Sequence, residues 1–159
     1  MRLLPVLLFA LAMQAAPPQR AVVTLAAVGG SGATGTARLD AFEEGTRVEL
    51  RIRGLDDGLH GVAFVEGAAC DEAAGPHLDR HGRLHGDPED PRPLHHDGDL
   101  GNVRVTDGAG RLDRVYTDVA LDAVLGRLLV VYAEADDLNS QPTGGAGAPV
   151  ACGVVTAAD

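Results

Sequence analysis

Val48, Leu50 and Ile52 alternate with Arg47, Glu49, Arg51 and Arg53. Side chains of an extended backbone point to opposite faces in turn, so this stretch predicts a strand with one buried and one wet face. Shorter stretches of the same kind run over 21–27, 35–42, 61–66, 102–106 and 112–117. Two others, 128–132 and 150–155, are nearly continuous apolar runs, as expected of strands covered on both faces. Turn chemistry separates the runs: Gly29-Gly30-Ser31-Gly32, Glu44-Gly45, Asp56-Asp57-Gly58 and Asp107-Gly108-Ala109-Gly110. About eight short strands joined by hairpin turns predict an all-β antiparallel sandwich or barrel.

Two stretches break this rhythm. One runs over 67–101 and is rich in His, Asp, Gly and Pro; the other runs over 134–149, with Asp136, Asp137 and several glycines. A loop as long as the first is, in a compact domain, functional or held by a metal or a disulfide. Between strands, Val119, Leu121, Val124 and Leu125 suit either one helical turn or plain core filler, and filler is the expectation. No internal repeat and no interdomain linker is visible, so residues 20–159 are expected to form one domain.

Composition narrows the picture. Aromatic residues make up 3% of the chain and tryptophan is absent, so the core must be built from Val, Leu, Ile and Ala. A formal net charge of -10 argues against nucleic acid or an anionic membrane as a partner. Residues 1–16 read as a signal peptide: Arg2, an apolar run from Leu3 to Met13, and small residues Ala15 and Ala16 before Pro17-Pro18. The run is too short to span a bilayer, and Pro5 suits neither a buried strand nor a membrane anchor. Export to the periplasm or the extracellular space is the expectation, with no membrane contact once the leader is removed. No cysteine near the cleavage site offers a lipid attachment. In an exported protein an isolated pair, Cys70 and Cys152, is most simply a disulfide; the other reading is two buried thiols.

Five of the six histidines fall between His77 and His96. They could be solvated loop residues or a loose metal tract. Their spacing favours donors from separate points of a loop, where binding one ion fixes the loop and its energy becomes folding energy. Three histidines and one aspartate can close a tetrahedral zinc shell and leave no open position.

In order along the chain come Gly58-Leu59-His60-Gly61, Ala74-Gly75-Pro76-His77, His85-Gly86, and His96 with Gly98-Asp99-Leu100-Gly101-Asn102. Then follow Leu129-Val130-Val131, Ala135-Asp136-Asp137-Leu138 and Ala151-Cys152-Gly153-Val154. With these segments the chain resembles the copper/zinc superoxide dismutases. The resemblance implies an eight-stranded Greek-key sandwich or flattened barrel with a long metal-binding loop. It implies a Cys70–Cys152 disulfide that pins the loop carrying His77. It implies zinc at His77, His85, His96 and Asp99, with Asp136 receiving a hydrogen bond from a zinc-bound imidazole. His60 matches a structural histidine. His81 and His95 are extra, and the adjacency of His95 and His96 leaves the third ligand open between them.

The same resemblance identifies what is missing. The family's copper is held by a His-x-His pair, a histidine on a later strand and the bridging histidine. The pair falls here on Ala63 and Val65, the later histidine on Tyr132, and only the bridging position, His77, keeps its imidazole. Pro149 stands where the family has its substrate-guiding arginine. Ala63 and Val65 have no donor atom, and an unperturbed phenol loses its proton only near pH ~10. The expectation is therefore an exported, zinc-binding relative without copper and without dismutase catalysis, since zinc has no redox chemistry. Two rivals remain: a dismutase using a relocated metal through His81 or His95, and a metal-buffering or partner-binding accessory protein. A homodimer or another protein partner is compatible with each reading.

Overall fold

The computed structural model describes residues 18–43, 45–92 and 94–158; the expected signal peptide at 1–16 lies outside the described residues. Nine strands follow in chain order: β1 (Arg20–Ala27), β2 (Thr34–Phe42), β3 (Gly45–Arg53), β4 (Gly58–Val65), β5 (Asp99–Thr106), β6 (Ala109–Tyr116), β7 (Leu128–Tyr132), β8 (Pro149–Val154) and β9 (Thr156–Ala158). Their hydrogen-bonded order is β2-β3-β6-β5-β4-β7-β8-β1-β9, and β1 also pairs with β2, which closes the sheet into a barrel. Strands β4, β5 and β6 follow one another while β3 lies beside β6, which is the Greek-key arrangement.

β8 and β9 are two parts of one barrel strand. Both pair with β1 in a single register, Ala26 opposite Cys152 and Arg20 opposite Ala158. Val155 interrupts them because its backbone bonds go elsewhere: its N–H donates to the Arg127 carbonyl at 2.8 Å, and its carbonyl accepts from the Gly126 N–H at 2.9 Å. The barrel thus has the eight strands that the alternation predicts.

Local chemistry explains the elements. In β3, Val48, Leu50 and Ile52 are buried and the intervening charges face out. The β5–β6 hairpin turns on Asp107 and Gly108, with φ of 52° and 72°, the pair of positive angles that a two-residue hairpin loop favours. Several strands start earlier than hydrophobic alternation indicates. In β4, Gly58 and Leu59 already pair with Val105 and Arg104, because the backbone ladder does not depend on side-chain hydrophobicity. Residues Leu121–Val124 form a helical turn, α1, where core filler alone was expected. Leu121 and Val124 stand three apart and so share one face, and the turn delivers both to the core.

The run 128–132 is buried on both faces, as predicted, and so is 150–155 apart from the exposed Val154, whereas 61–66, expected to keep one wet face, is buried on both as far as Val65. Val62, Phe64, Leu129, Val131 and Ala151 point into the barrel core. Their neighbours Ala63, Val65, Leu128, Val130, Tyr132 and Cys152 form a second cluster outside the barrel, together with Ala73 and Ala146 from the two long loops. The loops therefore cover the outer face of β4, β7 and β8. A disulfide between Cys70 and Cys152 ties a short 3-10 turn, Cys70–Glu72, to β8. It closes a loop of 82 residues, for which the chain-entropy model gives about 4.5 kcal/mol.

Three backbone bonds form a closed ring where the first long loop crosses β4. Phe64 N–H donates to Gly98 O at 2.9 Å, Gly98 N–H to Leu78 O at 2.8 Å, and Leu78 N–H to Phe64 O at 2.8 Å. Only glycine fits at this crossing: a Cβ on residue 98 would lie 2.3 Å from the Phe64 carbonyl oxygen. His77 precedes Leu78 and Asp99 follows Gly98, so the crossing sets both.

Candidate metal centre

His77, His85, His96 and Asp99 are all buried, and one donor atom from each lies within 4.8 Å of all the others. Each imidazole presents Nδ1. These nitrogens stand 2.7 Å (His77), 2.9 Å (His85) and 3.3 Å (His96) from Asp99 Oδ1. Asp99 Oδ2 is turned away and accepts the backbone N–H groups of His96 at 2.9 Å and Gly86 at 3.0 Å. The carboxylate is thereby locked with one oxygen aimed at the three nitrogens.

Electrostatics reinforces the cluster. Burial would push the Asp99 carboxyl up, but hydrogen bonds from His77 and His85, and their charges, hold it well below the usual carboxylate range. Burial would pull His85 down, but Asp136 and Asp99 hold it up at about 9. Three imidazole nitrogens and one carboxylate oxygen converging in a buried space fit one tetrahedral zinc ion.

The second loop braces this group. His85 Nε2 lies 2.8 Å from Asp136 Oδ1, which also accepts the Leu138 N–H at 2.7 Å. Two side-chain amides act as backbone-like clasps. Asn102 accepts the Asp136 N–H at 2.8 Å and donates to the Asp136 carbonyl at 2.9 Å. Gln141 accepts the His85 N–H at 2.8 Å and donates to the His85 carbonyl at 2.8 Å. His60 staples β4 in place, its ring nitrogens each 3.0 Å from the carbonyl oxygens of Tyr132 and Asp56.

His96, not His95, joins the group. His95 turns its ring the other way, with Nδ1 2.8 Å from the His96 carbonyl oxygen and Nε2 3.2 Å from Asp118. His81 is exposed, 3.5 Å from Asp97. Asp97 itself is buried and accepts the Arg80 backbone N–H and guanidinium, so it tethers the segment after His77 to the His96 turn. Asp97, Gln141 and the clasp role of Asn102 were not picked out from sequence. The sole hint was that Asp97 and Asn102 flank the Gly98–Gly101 motif.

The far nitrogen of His77 is different. Among the described residues its Nε2 is buried without a hydrogen-bond partner, and so is the Tyr132 hydroxyl; the two rings are 5.9 Å apart. Ala63 and Val65 lie fully buried in the same apolar cluster as Tyr132. Burial, and then the charges of Asp136 and Asp99, push the Tyr132 phenol well above its ordinary value, so it is neutral at any physiological pH. Pro149 opens β8 opposite Tyr132.

A family model described as copper/zinc superoxide dismutase matches residues 33–155. The chain belongs to the copper/zinc superoxide dismutase family. Two nematode relatives of this family have sequences close to it. The extracellular superoxide dismutase [Cu-Zn] of Haemonchus contortus is 37% identical over 153 aligned residues, covering 86% of this chain and 81% of that protein. The extracellular superoxide dismutase [Cu-Zn] of Brugia pahangi is 36% identical over 137 residues, covering 76% and 68%. Among solved structures, that of the clock protein EA4 superposes with a TM-score of 0.81 at 28% identity, covering 93% of this chain and 100% of its own. This family member has the barrel, the disulfide and a His/Asp group resembling the zinc site.

Proposed function

We propose that this member of the superoxide dismutase family is exported, binds one structural zinc ion and has lost both copper and dismutase catalysis. His77, His85, His96 and Asp99 hold the ion, and Asp136 orients His85 through its outer nitrogen. When bound, zinc supplies a fixed charge and four directed bonds but no electron transfer, so its work is to tie the long loop to the barrel.

One observation carries the loss of copper. The outer nitrogen of His77 is buried with no described hydrogen-bond partner; its ring lies 5.9 Å from that of Tyr132, a neutral phenol, whose apolar cluster includes Ala63 and Val65, neither with a donor atom. A lone imidazole does not make a tight copper site. Export is supported by the leader-like residues 1–16, by the disulfide and by the extracellular names of the two nematode relatives.

Those same names favour a second reading, in which the chain is itself a dismutase with copper bound elsewhere. His81 and His95 meet different carboxylates, Asp97 and Asp118, and among the described residues neither belongs to a group of donors that could hold a metal ion. Elemental analysis of the mature, oxidised protein, paired with a superoxide assay with and without added copper, decides between the two. The expected result is one zinc per chain, no stoichiometric copper and no copper-stimulated turnover. Stoichiometric copper with robust turnover overturns the proposal.

A further inference from the structure

The basic residues are distributed in a way the metal centre does not explain. The chain has no lysine, and twelve of its thirteen arginines are described. Nine of these twelve lie within 4.0 Å of a carboxylate. The three without a described carboxylate are Arg51, Arg53 and Arg104, and all three line one groove of about 970 Å³ on the outer face of β1, β2, β3, β5 and β6. A fourth, Arg111, lines it too, and shares Asp113 with Arg47.

The register sharpens this. Arg51 sits directly opposite Arg111 across β3 and β6. Like charges facing each other across strands destabilise a sheet. One step along the same pair, Glu49 sits opposite Asp113, but there Arg47 reaches both acids at 3.0 Å and 2.8 Å. The acidic pair has its bridging counter-charge, whereas the arginine pair has none for Arg51. In a chain of net charge -10, three arginines with no described carboxylate partner on one groove are not a general excess of positive charge.

Between the arginines the groove is lined by the outward-facing Ala26, Ala109, Thr24, Thr34 and Thr36, small residues whose methyl groups give it an apolar floor. A guanidinium fork matches the planar or tetrahedral oxygens of carboxylate, sulfate and phosphate. The volume is that of a small-molecule site. A long anionic polymer would meet the repulsion of the whole acidic chain, whereas a small ligand meets only the local arginines.

We propose that this groove binds an amphipathic oxyanion, one per chain: a carboxylate, sulfate or phosphate head between Arg51, Arg53 and Arg104, with an apolar body along the small-residue floor. The site shares no residue with the histidine group and is independent of the metal reading.

The test is calorimetric and NMR titration of the zinc-loaded protein with octanoate, octyl sulfate and octyl phosphate below their micelle concentrations. Octyl glucoside serves as the neutral body and inorganic sulfate as the head alone. At least one octyl anion should bind about tenfold more tightly than both controls, with amide shifts centred on residues 24–26, 34–36, 51–53 and 109–111. The tightest of the three heads identifies the source. R51S/R104S should weaken binding about tenfold, R51K/R104K less, and R20S/R92S, the same loss of two charges at exposed positions outside the groove, should leave it unchanged. Equal binding of octyl glucoside, or undiminished binding by R51S/R104S, overturns the proposal. So does tighter binding of a hexaglutamate peptide or a sulfated oligosaccharide than of every octyl anion.

Discussion

Any side chain at Gly144 would place its Cβ 1.9 Å from Asp136 Oδ1 and 2.6 Å from His85 Nε2. Gly144 also has φ of 68°, a conformation that disfavours other residues. The Asp136–His85 contact therefore exists because residue 144 has no side chain. Gly144→Ala should push the carboxylate off the imidazole and lower zinc affinity about 10- to 100-fold, the usual effect of losing such a partner. Gly145→Ala has the same backbone strain, with φ of 64°, but its Cβ would meet only Asp137 Oδ2 at 3.9 Å. It should cost about 1 kcal/mol of stability and leave affinity unchanged. Competition with a chromophoric chelator reads the contrast, and equal affinities for the two variants would contradict the role given to Asp136.

Asp136→Asn keeps the volume and removes the charge. His85 then loses the carboxylate hydrogen bond that does most to hold its proton affinity up. Zinc should bind about 10- to 100-fold more weakly while the disulfide and barrel stay intact. Chelator competition and far-UV circular dichroism check the two halves of this expectation.

The copper reading predicts a gain of function. Ala63→His, Val65→His and Tyr132→His together should create a second metal site beside His77, with stoichiometric copper visible by electron paramagnetic resonance. Any one of the three alone should not, because a tight copper site needs several nitrogen donors. Ala63 and Val65 are fully buried, so the triple variant will also be less stable, by about 1–3 kcal/mol for an overfilled core. Copper uptake by the parent chain equal to that of the triple variant would count against the lost site.

Acid and base act on the metal-free chain in opposite ways. His85 is raised from 6.5 to about 9, so its stabilising contribution is complete below 6.5 and is lost as pH rises through about 9. Asp99 is lowered from 3.8, so its contribution is complete above 3.8 and is lost as pH falls further. The melting temperature of chelator-treated protein should be highest between these limits and decline on either side. Zinc reverses the neutral-pH trend, because coordination requires unprotonated imidazoles; the zinc-dependent increment should vanish on acidification towards pH ~5. Thermal unfolding with and without chelator across this range tests both signs. A zinc-free melting temperature that climbs between pH 6.5 and 9 would contradict the His85 assignment.

Much of this architecture is legible in the chain because burial imposes a period. Val48, Leu50 and Ile52 declare one wet face, and 128–132 declares two dry ones; the structure supplies the second cover in the loop residues Ala73 and Ala146. The four converging donors are legible because His and Asp at separated points of a long loop suggest a metal. What closes around them is not. Asn102 and Gln141 act through their amides on single peptide groups, Asp97 holds a loop segment, and polar loop residues carry no period. The choice between His95 and His96 depends on which ring the turn directs inward, and spacing alone does not fix that.

The ring of bonds among Phe64, Leu78 and Gly98 means that the first long loop is knitted into the barrel wall rather than draped over it. Amide protons at these three positions should exchange with solvent only when the whole barrel opens. Folding itself then delivers His77 and Asp99 to their stations, and the work left to the ion is to draw in the remainder of the loop through His85 and His96.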